Sequence, residues 1–292
     1  MADKRKNSLE KESTSLLTAV DDGQLEVVKH LLLNGADIEA RDNSGETSLY
    51  RAAGYGHHDI VKFLIEKGAN IESKNDSGQT ALYRAAEMRQ KDIVKFLIDK
   101  GSDTETAPND GRTLLHLVAA YGDKKIATYL VDKGADIEAK TNFGGRAPLQ
   151  QAAVNGKKNI ITYLLKKGAN IDVKDNDGET ALHLAAGVLG NQKMVAFLVD
   201  KGADIESSDN KGKTPLHHAV SMGNDGFSVL QYSGKAAQTQ AYKDVVEYLL
   251  AEGANIEAVT HEGKTALDIA KEENNLEIVR ILETRIRREN YI

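Results

Sequence analysis

Apolar residues recur along this chain in two short bursts per cycle, each followed by a polar break that carries glycine. In residues 42–74 the first burst is "SLYRAA", preceded by Thr47, whose hydroxyl suits the start of a short helix. Ala52 and Ala53 leave room for a neighbouring helix to approach. The second burst, "HHDIVKFLIEKG", puts Ile60, Val61, Leu64 and Ile65 on one helical face. Gly56 and Gly68 supply the two C-terminal stops. Ahead of both, "DNSG" reads as a turn, because Asp and Asn side chains bond nearby backbone amides and Gly45 is free to take positive φ. Each cycle therefore predicts turn, helix, turn, helix. Pro148 and Pro215 sit at the first helical position of their cycles, where a missing amide does no harm.

Residues 75–107 repeat 42–74 with most positions unchanged, and the turn glycines Gly45, Gly78, Gly111, Gly145, Gly178 and Gly212 set a nearly constant period. The next, Gly263, comes late. The pattern gives eight units, about 10–41, 42–74, 75–107, 108–140, 141–174, 175–207, 208–258 and 259–285, between a polar tail 1–9 and a tail 286–292. Helices this short are marginal in water on their own, so each pair must bury its apolar face against its neighbours. The expected fold is all-α: one stacked domain over 10–285 with short β-turn or hairpin loops.

These residues resemble the ankyrin repeats. That family's pattern is a turn with Gly, Thr-Pro-Leu-His, two Ala, Gly, a β-branched pair, Leu-Leu and Gly-Ala-Asp. It is matched by "DGETALHLAAG" at 177–187 and by "GADIEA" at 35–40 and 134–139. The likeness covers about residues 10–285 and implies an ankyrin-repeat solenoid. The tetratricopeptide repeat is similar only in length, since this chain has no Trp.

Composition narrows the chemistry. The chain has no Cys, which excludes disulfides and thiolate catalysis and fits a reducing compartment. No stretch approaches a membrane span, and "MADKRKNSLEKESTS" lacks the apolar centre of a secretory signal. The expected location is cytoplasmic, or a host's cytosol if the protein is a microbial effector. Lys and Arg number 38 against 44 Asp and Glu, without the basic stripe of a nucleic-acid binder. Lys4–Lys6 and Arg285–Arg288 read as solvated faces at the ends.

No catalytic, cofactor or metal site is expected. His116, His183 and His217 fall in the slot where the resemblance implies a ring bonded to backbone and to the Thr hydroxyl. His57, His58, His30 and His261 read as helix-start or surface residues. His217 and His218 are adjacent, but nothing close in sequence completes a tetrahedral site around them. "GKT" at 212–214 and 263–265 is turn and helix cap, not a phosphate loop, because Ser207 and Ala258 stand where the first glycine belongs. "GFSVLQYSGKAA" likewise ends in Ala where Mg²⁺ coordination needs a hydroxyl.

Residues that the scaffold does not require are the candidates for function. The resemblance implies a concave groove lined by turn tips and first-helix edges. Matching slots gives Tyr55, Met88, Arg89, Tyr121, Phe143, Val154, Asn155 and Met222, with Arg112 and Arg146 beside the turns. Several are types that concentrate binding energy at interfaces, though Met and Tyr also serve simply to cover neighbouring helices. Arg51 and Arg84 replace an apolar residue one repeat apart, forming either a cationic lane for a partner's carboxylates or packed stems with wet guanidinium heads. The insertion 224–241 in the seventh unit reads as an unstructured segment, either a protrusion that offers Phe227, Leu230 and Tyr232 to a partner or a harmless expanded loop, and "GVLG" at 187–190 carries an extra residue at the equivalent bend.

The expected function is a non-enzymatic scaffold that binds a protein or peptide, with no nucleic acid, no membrane and a monomer by default. Two alternatives stand beside it, a structural or sensor segment of a larger regulatory protein and a secreted microbial effector acting on host proteins. The initial Met, the polar first unit and the final "RIRRENYI" suggest a complete, capped array.

Overall fold

A computed structural model describes residues 15–187, 190–221 and 235–289. Its helices are α1 (15–21), α2 (Leu25–Leu33), α3 (Ser48–Tyr55), α4 (His58–Glu66), α5 (Ala81–Glu87), α6 (Lys91–Asp99), α7 (Leu114–Tyr121), α8 (Lys124–Asp132), α9 (Pro148–Val154), α10 (Lys158–Lys166), α11 (Ala181–Ala186), α12 (Gln192–Asp200), α13 (Pro215–Ser221), α14 (Lys235–Ala251), α15 (Ala266–Glu272) and α16 (Leu276–Glu289). Among the described residues there is no strand; the turns carry only isolated bridges such as Arg41 to Thr47. The chain divides into two compact units, Met1–Val118 with Lys125–Asp136, and Ala119–Lys124 with Ile137–Ile292.

In the first unit α3 packs on α5 and each first helix on its own second helix, α3 on α4 and α5 on α6. The starts are capped as the Thr positions suggest: Thr47 Oγ accepts the Tyr50 N–H and Thr80 Oγ that of Tyr83. Ile60, Val61 and Leu64 are buried, as are Ile93, Val94 and Leu97 one period on, while Ile65 is only half-buried. Each fully buried Leu or Ile contributes roughly 1.5–3 kcal/mol, which is what makes the stacking obligatory.

Hydrogen bonds fix the register between repeats. The Glu that ends "GADIE" or "GANIE" accepts the backbone N–H of the third residue of the same segment in the next repeat: Asn70 N–H to Glu39 at 2.7 Å and Asp103 N–H to Glu72 at 2.9 Å. In the second unit Asn170 bonds Glu138 and Asn255 bonds Glu206, both at 2.7 Å. Successive turns are also bonded directly, for example Asn210 N–H to the Asp177 carbonyl at 2.9 Å. This contact is why the turn needs glycine. A Cβ on Gly178, already at φ +78°, would lie 2.7 Å from the Asn210 nitrogen.

The second unit continues the scheme through α9, α11, α13 and α15, which pack in sequence. Part of the insertion departs from the expectation of an unstructured loop. Residues 235–241 are helical and run without a break into the second helix of their repeat, making α14 the longest helix, packed against α12, α13 and α16.

An aromatic residue recurs on the second helices with a lysine four residues later: Lys67 over Phe63, Lys100 over Phe96, Lys167 over Tyr163 and Lys201 over Phe197, at 5.6–5.8 Å from the ring centroids. The i, i+4 spacing places each ammonium on its ring. This explains a repeated slot as packing and leaves the first-helix edges as the variable part.

Candidate functional site

In the first unit Tyr55 and Met88 occupy equivalent positions at the C-terminal ends of α3 and α5, 60% and 46% exposed. Arg89 follows at φ +59°, a left-handed conformation that Gly56 adopts in the repeat before. An L side chain there costs about 1–2 kcal/mol, partly offset by the entropy that Gly would lose on folding. Arg89→Gly should therefore raise stability by about 0.5–1 kcal/mol, read as a higher urea midpoint with unchanged slope. A strained residue kept at an exposed edge is a reason to test that edge for function. Arg112 is exposed and lies 3.2 Å from Asp110 within its own turn.

In the second unit Tyr121 is half-buried at the end of α7, and Asn155 is exposed beyond α9, with Nδ2 bonded to the Gln151 carbonyl. The two ends adjoin, since the Lys157 stem rests on Gly122. Val154 is half-buried beside Asn155. Phe143 lies apart from these, on a turn tip, and is 77% exposed. Its turn is held by the Thr141 hydroxyl, which donates to the Phe143 carbonyl and accepts the Arg146 N–H, and Gly144 and Gly145 both take positive φ. The ring is thus presented from a backbone with little freedom. Arg146 reaches 3.7 Å from the buried Asp175 carboxylate. Met222, Phe227 and Tyr232 lie outside the described residues.

Arg51 and Arg84 do not form a free cationic lane. Arg51 meets Asp21 at 2.5 Å, Asp42 at 2.6 Å and Glu46 at 3.4 Å. Arg84 meets Glu87 at 2.6 Å and lies over the Tyr50 ring, its stem against Gly54. Both guanidinium groups are spent on internal carboxylates: Glu87 lies three residues on along the same helix, whereas Asp21 comes from the preceding repeat. Burial works against the Arg51 charge, but these carboxylates outweigh it and raise its pKa further.

Nor is His218 without carboxylates. Its Nε2 lies 2.9 Å from Asp209 and its Nδ1 3.7 Å from Glu179, in a pocket where all three side chains are at most one-fifth exposed. Spacing hid this, because Glu179 belongs to the previous repeat and Asp209 to the turn nine residues back. One signal was available. Arg51 and His218 share a slot, and so do Asp42 and Asp209. Burial raises the Glu179 carboxyl against the attraction of His218. Burial acts the same way on Asp209, but the His218 ring and the Lys213 and Lys211 amides hold it well below the usual carboxylate range.

The histidines in the Thr-x-x-His slot are structural. Thr113, Thr180 and Thr214 each bond the Nδ1 of His116, His183 and His217 through both hydroxyl and backbone N–H. Nδ1 is therefore an acceptor, and the Nε2–H of His183 donates to the Lys213 carbonyl of the next repeat at 3.0 Å.

A family model described as "Ankyrin repeats (3 copies)" matches residues 16–107, 103–175 and 167–240. No curated protein matches the chain. No helix of the described residues is long and apolar enough to cross a membrane.

Proposed function

We propose, from the premise that this chain belongs to the ankyrin-repeat family, that it is a non-enzymatic scaffold binding one protein or peptide partner through its turn tips and first-helix ends. Ankyrin repeats are in general protein–protein interaction modules and are typically not enzymes. The observation that carries the finer reading is the exposure of Phe143, Tyr55 and Met88 where neither the caps nor the core require a large apolar side chain. Aromatic residues held on a rigid backbone lose little freedom when a partner covers them, so more of the contact energy appears as affinity. Arg89 adds a cation beside Met88. The proposal includes the insertion 224–241, of which only 235–241 lie among the described residues, as the start of α14.

The test is affinity capture from native lysate with the intact protein, followed by titration of whatever partner is retained. Phe143→Ala, and separately Tyr55→Ala with Met88→Ala, should each weaken binding at least tenfold, about 1.4 kcal/mol or more. Melting temperatures should hold, because these side chains are exposed. Variants that keep every partner at undiminished affinity overturn the assignment.

A further inference from the structure

We propose that His218 and Glu179 bind a divalent transition-metal ion, with Asp209 as the outer carboxylate that orients the imidazole. The inference does not depend on protein binding. Asp209 Oδ1 accepts the backbone N–H groups of Lys211 and Lys213, both at 2.8 Å, which locks the side chain as an ionised acceptor. Its Oδ2 then takes the hydrogen of His218 Nε2 at 2.9 Å. With that hydrogen on Nε2, Nδ1 is the ring nitrogen that faces Glu179 Oε1 and can offer a lone pair to an ion.

The gap between these two atoms is 3.7 Å. It is too long for a hydrogen bond. It is close to the roughly 3.4 Å that separates two ligands on a tetrahedral ion with bonds of about 2.0–2.1 Å. One ligand atom from each of Glu179, Asp209 and His218 lies within 4.8 Å of the others. A carboxylate behind a ligating imidazole is the usual support for such an ion, since it sets the tautomer and raises the ring's basicity.

The surroundings favour added positive charge. Glu179 and Asp209 face the ring, and Asp175 and Asp177 act on Glu179 against Arg146. His183 stands edge-on to His218 with centroids 5.0 Å apart, but both its nitrogens are engaged, so it walls the site and does not ligate. Glu179, one-fifth exposed, is the side open to solvent, where water completes the shell. Imidazole with carboxylate selects Zn²⁺, Co²⁺ or Ni²⁺ over Mg²⁺ and Ca²⁺. The ion would clamp the turn of the sixth repeat to the first helix of the seventh.

Isothermal titration of Zn²⁺ into the chelator-treated full chain at pH 7.5 should show one ion per chain with a micromolar Kd. His218→Gln should abolish that event, Glu179→Gln should weaken it at least tenfold, and Asp209→Asn should weaken it about 10–100-fold. His58→Ala, an exposed histidine, should leave it unchanged. Circular dichroism establishes that each variant is folded; if His218→Gln is not, the conservative Glu179→Gln decides alone. No binding up to millimolar Zn²⁺, or the same Kd in the wild type and Glu179→Gln, overturns the proposal.

Discussion

Tyr242→Ala is expected to cost about 3–5 kcal/mol, the range for removing a large buried ring from a packed site. Tyr242 is wholly buried and is among the largest side chains that are. It occupies the slot three residues before the β-branched pair of its repeat. In other repeats that slot holds His57 against Gly23, Gln90 against Gly56 and Lys157 against Gly122. The bend glycine of one repeat leaves space, and the next repeat fills it. Here the ring rests on Gly190, where an added Cβ would come within 3.1 Å of Cε1, at φ +51°. The two departures from the period, the altered bend at 187–190 and the insertion in the following repeat, therefore meet in one contact. Because α14 packs against α12, α13 and α16, the void would loosen the C-terminal repeats together. Urea unfolding should show the loss for Tyr242→Ala, whereas Tyr242→Phe keeps the ring and should stay within about 1.5 kcal/mol of wild type. A midpoint for Tyr242→Ala within about 1 kcal/mol of wild type would mean that the ring does not hold the insertion in place.

The same contact shows where reading the sequence succeeds and stops. Glycine spacing, Thr caps and the Ile60, Val61, Leu64 face were legible because each depends on residues within one turn or one helix, and repetition averages out local ambiguity. The Thr-x-x-His bonds were expected only through the resemblance to the ankyrin repeats. Tyr242 stands one residue beyond the insertion, and its partner Gly190 belongs to the previous repeat, so no local pattern marks it as core. The helical start of α14 was missed for a related reason: "KAAQTQAY" has no apolar stripe, yet it needs none to continue a helix already anchored by Tyr242, Val245 and Val246. Asp21 reaches Arg51 and Glu179 reaches His218 from the preceding repeat, so no linear motif contains either full set. Aligning the repeats slot by slot sets Asp42 with Arg51 beside Asp209 with His218, although Arg84 has Asn75 and Leu184 has Asp175 at the same offset.

Acid should unfold this protein partly through His183, and replacing that residue by glutamine should remove the effect without removing its bonds. Burial, reinforced by the neighbouring His218, pushes the His183 pKa down from 6.5 to about 4. Above pH 6.5 the ring is neutral in both states and contributes no pH dependence. Below it the unfolded chain takes up a proton that the folded one refuses, so stability falls by about 1.4 kcal/mol per pH unit until pH 4, a total of about 3 kcal/mol. Glu179, whose folded pKa is raised, works the opposite way: its contribution is present below the unfolded pKa and lost as pH rises. The two are separated by comparing variants. Gln150 already fills the histidine slot of the fifth repeat, with Oε1 accepting the Ala147 N–H at 2.9 Å and Nε2 donating to the Glu179 carbonyl at 2.7 Å. His183→Gln should reproduce that pair of bonds, matching wild type at pH 7.5 and exceeding it by up to about 3 kcal/mol at pH 4. His183→Ala should instead be less stable at pH 7.5, because the Thr180 amide and the Lys213 carbonyl lose their partner. Parallel loss of stability on acidification in wild type and His183→Gln would place the acid sensitivity elsewhere and remove the neutral, buried imidazole from the account.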